Sequence, residues 1–199
     1  MNLNCLSDKN NFEHLLAAID ERLAKGQTIV AIDGRCASGK STLATCLAEI
    51  YDCNVFHIDH FFLQPKQRTE QRLAIAGENI DHERFKNEVL LPLSEGKTIH
   101  YRRYNCHLQT IESPIEIQPK KLNIVEGAYC LHGELVGFYD LKIALDIDPD
   151  TQKERIKKRN TPVIAERFFN EWIPLEERYF EAFSIYQNVD MVFALFAID

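Results

Sequence analysis

The chain has 199 residues, 45% of them hydrophobic and 27% charged, with a formal charge of −7. That is the make-up of a soluble globule, long enough for one well-cored domain (1–199) and short for two, and its acidity argues against nucleic acid, which calls for a basic face. No apolar run approaches the ~20 residues of a membrane span. Met1 to Asn10 is polar and lacks a secretory core, so the expectation is a cytoplasmic protein with its six cysteines as reduced thiols. The cysteines form no CxxC pair, and no clustered zinc ligands are legible.

Along the chain, Phe12, Leu15, Leu16, Ile19 and Leu23 recur at helical spacing, and Gly26 ends that helix. Thr28 to Ile32 is a short, β-branched apolar run ending at Asp33-Gly34, which predicts a buried strand. Gly34-Arg35-Cys36-Ala37-Ser38-Gly39-Lys40-Ser41 then fits GxxxxGK[ST] at every fixed position. At average residue usage this happens by accident in roughly 1% of chains of this length. The motif also falls where its mechanism needs it, after a strand and before the predicted helix Thr42 to Ile50.

Glycine lets the backbone curl so that its N–H groups surround a phosphate, and the helix that follows points its positive end at the same anion. Gly34, Ala37, Ser38, Gly39, Lys40, Ser41 and Thr42 are therefore the expected binders of ATP. Lys40 would reach the β- and γ-phosphates, and the Ser41 hydroxyl would hold Mg²⁺.

A second strand, Asn54 to Ile58, leads to Asp59, 18 residues after Ser41. That interval suits a helix, a short loop and a return strand, which brings Asp59 back beside the γ-phosphate as a proton acceptor or a water-mediated Mg²⁺ partner. From 59 to 121 the chain is too long for a simple crossover. Helices are predicted at Thr69 to Ala76 and from Asp81, as N-cap, through Leu93, followed by extended runs Thr98 to Tyr104 and Ile111 to Gln118. Such an excursion at the working edge of a sheet suits a binding cover.

Leu122 to Val125 predicts a third strand ending in Glu126, an acid where a Walker B residue would complete the metal shell. Leu141 to Ile147 is a fourth. Asp148-Pro149-Asp150 reads as a turn and N-cap before a helix carrying Arg155 and Arg159 on one face, cations able to stabilise a migrating phosphoryl group. Trp172, Tyr179, Phe180, Phe183 and Tyr186 form an aromatic stripe expected to pack the core, and Met191 to Phe196 is a fifth strand. Alternating strands and helices predict an α/β fold, a three-layer α/β/α sandwich on a mainly parallel five-stranded sheet, with 59–121 as an insertion.

The phosphate loop, Asp59-His60-Phe61-Phe62, Asn79-Ile80-Asp81-His82 and Val125-Glu126-Gly127 together resemble the uridine kinase and phosphoribulokinase branch of the P-loop kinases. The likeness runs from about Gly26 to the last strand. It implies Asp59 as the base on a 5′-hydroxyl, Phe62 lining a nucleoside pocket, and Asp81 with His82 at the ribose. It also implies Tyr101, Tyr104 and His107 near the base, with Arg155 and Arg159 as lid arginines. Arg102 and Arg103 sit where the family tends to carry an acid and an aromatic, and no arginine-rich lid follows Asn160. Both departures fall on the acceptor side. The expectation is thus a kinase using ATP and Mg²⁺ on a small-molecule alcohol, a nucleoside such as uridine or cytidine first. A kinase of a non-nucleoside alcohol (a phosphorylated sugar or a vitamin precursor) and a non-catalytic nucleotide-binding module are the alternatives. A homo-oligomer is compatible with the sequence.

Overall fold

The structure is a computed structural model and describes residues 9–194. It opens with α1 (Lys9–Leu23), β1 (Thr28–Gly34), α2 (Lys40–Ile50) and β2 (Cys53–His57). Two short helices follow, α3 (Glu70–Leu73) and α4 (His82–Phe85); a π-helical turn, Lys86–Leu90, joins α4 to α5 (Leu91–Ser94). The excursion ends in four small strands, β3 (Ile99–Tyr101), β4 (Tyr104–Asn105), β5 (Thr110–Ile111) and β6 (Ile115–Ile117). Then come β7 (Leu122–Glu126), β8 (Leu141–Asp146), α6 (Pro149–Arg159), α7 (Pro162–Arg167), α8 (Ile173–Ala182) and β9 (Met191–Ala194).

Side-chain alternation in β1 decides the layering. Every residue of β1 is buried, because β7 and β8 flank it and helices cover both faces. Ile29 and Ala31 join a core with Phe56, Val125, Phe85, Val89 and Tyr179. Val30 and Ile32 face the other way, against Phe12, Leu15 and Ile19 of α1 and Leu43 and Leu47 of α2. The five strands run parallel in the order β2-β7-β1-β8-β9, which is the predicted α/β/α sandwich.

Boundaries differ by a residue or two. β1 runs on to Gly34, β2 stops at His57, and Ile58–Phe61 forms a 3₁₀ turn that carries Asp59. Leu195 and Phe196, the end of the predicted fifth strand, lie outside the described residues. The helix expected over Thr69 to Ala76 closes after Leu73, capped by Thr69, whose hydroxyl accepts from the Arg72 N–H at 3.1 Å. Asp81 caps α4 through the Arg84 N–H (3.1 Å), and Asp148 caps α6 through the Thr151 N–H (2.9 Å).

Two expectations need correction. Cys46 is disulfide-bonded, so the thiols are not all free; Cys36, Cys53, Cys106 and Cys130 are, and Cys5 lies outside the described residues. Of the aromatic stripe, Tyr179 and Phe180 are core, with Phe183 and Tyr186 packed against it, but Trp172 belongs to a cleft wall. Trp172 closes the π-helical turn Phe168–Trp172 ahead of α8, half-buried and edge-on to Phe168 with centroids 4.5 Å apart. No helix among the described residues is long and apolar enough to cross a membrane.

Candidate active site

The site grows from the C-terminal edge of the sheet, where ligands of open α/β folds bind. Register places His57 of β2 and Ile32 of β1 on either side of Glu126, and Gly34 beside Leu145. Gly34 has φ 128, and a Cβ there would lie 2.0 Å from the Leu145 carbonyl oxygen, so only glycine fits. The loop then curls through left-handed turns at Ala37 (φ 62) and Gly39 (φ 100) into α2. Lys40 folds back across it, its Nζ donating to Gly34 O (2.7 Å) and Arg35 O (2.9 Å). The Ser38 Oγ is buried with no partner inside the same loop.

Later elements hold the loop from outside. Gln152 of α6 donates to Cys36 O (3.1 Å) and Arg155 to Ala37 O (3.1 Å). Arg35 reaches both oxygens of Glu177 (2.6 and 2.9 Å), pairs with Asp146 and stacks over Tyr186 at 5.1 Å. Arg35 therefore fastens the loop to α8. Burial pushes the Cys36 thiol up to about 12, which leaves little of the thiolate that oxidation requires.

Ser41 donates to Glu126 Oε2 across 3.2 Å, and His57 Nδ1 abuts Glu126 Oε1. A hydroxyl and a carboxylate at this spacing are hard oxygen donors that suit Mg²⁺, and the partnerless Ser38 hydroxyl fits a phosphate cradle. Ser41→Ala is expected to raise the Mg²⁺ concentration needed for half-maximal activity by roughly 10-fold or more, read from Mg²⁺ titrations at fixed nucleotide.

Asp59 opens onto the same space. Its residue surface is exposed to the cleft, yet protein surrounds the carboxyl closely enough to raise its pKa to about 6. Loss of solvent is the leading cause; Lys40 opposes it and Glu126 adds to it.

The cleft encloses about 1500 Å³, room for two substrates at once. Ala37, Gly39, Lys40, Ser41, Thr42, Asp59, Glu126, Arg155 and Arg159 all line it, as do Phe62, Tyr104 and His107. Gly34 and Ser38 frame the loop behind that surface. Three expected acceptor residues are not brought to the cleft. Asp81 is buried and spent on Arg84 and on Gln67 Nε2 (2.9 Å). His82 stacks on His132, centroids 4.1 Å apart. Tyr101 is core, its hydroxyl held by the His57 backbone and by His60 Nδ1 at 2.8 Å.

The cleft is also lined by residues that no motif flagged, Tyr129, Phe168, Glu176, Arg68 and Arg178, and by Asn79 and Trp172, which the sequence singled out for other reasons. Their common signal, visible only in the fold, is that they border the mouth from three separate chain segments. Glu78, His82 and His132 do form a cluster that the sequence did not reveal. The two rings stack nearly parallel, at 16°, and both Nε2 atoms face Glu78 Oε1, His82 at 2.8 Å and His132 at 3.8 Å.

Residues 29–161 match the family described as Phosphoribulokinase / Uridine kinase. The chain belongs to that family. Its match spans the phosphate loop, the Asp59 turn, Glu126, Arg155 and Arg159. Among curated relatives, a probable uridine-cytidine kinase of Caenorhabditis elegans is 26% identical over 124 residues, covering 54% of this chain and 50% of the relative. The chain thus spans about half the length of that relative. Among solved structures, a possible uridine kinase from Bacillus stearothermophilus superposes with TM-score 0.64 at 20% identity, covering 90% of this chain and 99% of that one. The "putative fructose transport system kinase" from Silicibacter sp. TM1040 gives TM-score 0.70 at 23% identity, covering 90% and 97%. Those two likenesses speak for the fold.

Proposed function

We propose that this member of the Phosphoribulokinase / Uridine kinase family is an ATP-dependent kinase. It moves the γ-phosphoryl group to a small-molecule hydroxyl, with a nucleoside 5′-hydroxyl as the preferred acceptor. One observation carries the reading: a single cleft joins the phosphate loop to a free-facing carboxylate, Asp59, and to an aromatic wall of Phe62, Tyr104, Phe168 and Trp172. Flat aromatic faces suit a planar base. Asp59 takes the proton of the acceptor hydroxyl as the oxygen attacks phosphorus. Lys40, Arg155 and Arg159 meet the charge that builds on the migrating group. Ser41 and Glu126 would hold Mg²⁺, which would supply charge neutralisation at the phosphates.

A second reading, a non-nucleoside anionic acceptor such as a sugar phosphate, draws on Arg68 and Arg178 in the same wall. Arg102 and Arg103 of the hairpin add nothing to it. Glu88 engages Arg102 on the far side of the hairpin, and neither arginine lines the cleft.

The experiment is ADP release with ATP and a panel of pyrimidine nucleosides, pentose phosphates and uncharged polyols. A kcat/KM for a nucleoside at least roughly tenfold above the sugar phosphates is expected, the discrimination that a few well-placed contacts supply. The reverse order would favour the second reading, and no acceptor-dependent ADP release with any compound would point to a binding module.

A further inference from the structure

Near its start, α8 places two consecutive glutamates, Glu176 and Glu177, against two consecutive residues of the phosphate loop. Glu177 takes the Arg35 guanidinium in a two-pronged contact, which by itself docks the helix on the loop. Glu176 does something else. It is buried, at 6% exposure, and its Oε2 accepts the Cys36 N–H at 2.8 Å. It also forms part of the cleft wall alongside Lys40 and Asp59, and it interacts electrostatically with both. Those are the two side chains that bracket a phosphoryl group in transit from loop to acceptor. Burying a carboxylate there is costly unless it meets a partner, and among the described residues its hydrogen-bonding partner is Cys36, through the backbone N–H at 2.8 Å and the thiol beside it.

We propose that Glu176 is a further donor-site residue: one carboxyl oxygen holds the Cys36 N–H while the other meets the γ-phosphoryl group of the bound triphosphate. The inference rests on triphosphate binding at the loop and is independent of which acceptor is used.

The chemistry of that contact depends on protonation. As a neutral acid, Glu176 donates O–H to a phosphoryl oxygen; as a carboxylate, it repels one. Burial pushes the group up to about 7, opposed by Lys40 and by the Cys36 N–H and helped by Asp59. The charged or titratable groups facing it are Lys40 and the Cys36 thiol on the loop, Asp59 after β2 and the Tyr129 phenol after β7. Its neighbour Glu177 is neutralised by Arg35. The sign follows: the acid form dominates below about 7 and supports the triphosphate. Above that, binding the triphosphate requires taking up a proton or accepting repulsion, so affinity falls as pH rises. A diphosphate, with no γ group, escapes this effect.

The test is a set of binding isotherms for Mg²⁺–ADP and a Mg²⁺ complex of a non-hydrolysable ATP analogue, from about pH 6 to pH 8.5, on wild type, Glu176→Gln, Glu176→Ala and Asp59→Asn. In wild type the preference for triphosphate over diphosphate should fall above neutrality, by up to about tenfold per pH unit. In Glu176→Gln that preference should be flat with pH, while the amide oxygen still accepts the Cys36 N–H and ADP binds as in wild type. Glu176→Ala should lose the slope as well and also weaken ADP. An unchanged slope in Glu176→Gln, equal shifts for both nucleotides, or a slope that disappears only in Asp59→Asn would each overturn the proposal. Failure of wild type to bind the analogue at all would instead remove the donor-site reading beneath it.

Discussion

Asp59→Asn is expected to lower kcat by roughly 10²–10⁴-fold, the usual contribution of a positioned base, with ATP affinity nearly unchanged. Asparagine keeps the shape of the side chain and gives up its capacity to accept a proton. The carboxyl sits on the turn after β2, where buried Ile58 and Phe61 fix it, and its charge is balanced against Lys40 and Glu126. Burial raises its pKa to about 6, so the base loses its active form as pH drops through that value. In wild type, kcat/KM should therefore rise with pH across about 6 and level off above it, with a slope approaching tenfold per unit on the acid side.

The same shift has a stability sign. A carboxylate whose folded pKa lies above its unfolded value is destabilising once ionised, and that penalty is present at pH above the folded value. Asp59→Asn should thus melt no lower than wild type at pH 7.5 or so. This separates a lost base from a lost fold. An active asparagine variant would remove Asp59 from the mechanism, and a dead variant with a lowered Tm would leave misfolding as the cause.

How much of this was legible in the sequence depends on the range over which each feature is encoded. The phosphate loop was readable because eight contiguous residues carry its geometry: Gly34 must approach Leu145, and Gly39 must turn left-handed. Glu126 and Asp59 were readable one level up, since a parallel sheet gathers all strand ends at one edge. The five strands followed from short apolar runs, and the layering from the alternation of strands with helices along the chain.

The acceptor wall was not readable in this way. Asp81 and His82 stand in a motif that resembles a ribose contact, but capping α4 and pairing with Gln67 absorb Asp81, and stacking on His132 absorbs His82. Tyr101 and Tyr104 lie three apart on a hairpin, yet a break between β3 and β4 sends the first ring into the core and the second to the cleft. Glu176, Trp172 and Arg178 reach the cleft from α8 and the turn before it, well over a hundred residues beyond the loop they face. No local period encodes that distance. His57 stands in a strand with no motif around it, and its place beside Glu126 depends on register between β2 and β7.

Asp33 is the other residue whose importance appears only in three dimensions, and its removal should produce the largest loss of stability among the substitutions considered. It is fully buried at the end of β1, one position before the phosphate loop. Oδ1 accepts the N–H of Gly34 (2.6 Å) and of Tyr129 (3.3 Å); Oδ2 accepts the N–H of Leu131 (2.9 Å) and the hydroxyl of Tyr179 (2.7 Å). One carboxylate thereby ties β1, the loop after β7 and helix α8 together. It also holds Tyr129 at φ 77, a backbone conformation that a side chain of this size seldom adopts unaided. Burial raises its pKa, against the pull of the Leu131 and Tyr179 contacts, so the group is costly to ionise and is kept for what it organises. Asp33→Ala leaves those donors without an acceptor in a dry interior, at about 1–3 kcal/mol each before relaxation and before credit for the charge removed. A net loss of about 3 kcal/mol or more is expected. For a chain of this size that lowers Tm by roughly 6–12 °C. Asp33→Asn should fall between the two, because its amide oxygen still serves Gly34 and Tyr129 while its NH₂ group opposes the Leu131 N–H. Thermal melts of both variants, with Tyr179→Phe as a milder break on the same carboxylate, check the order. A Tm for Asp33→Ala within about 2 °C of wild type, under 1 kcal/mol on the same scale, would mean that Tyr129 and α8 are held by packing, and that Asp33 is a bystander to the loop it precedes.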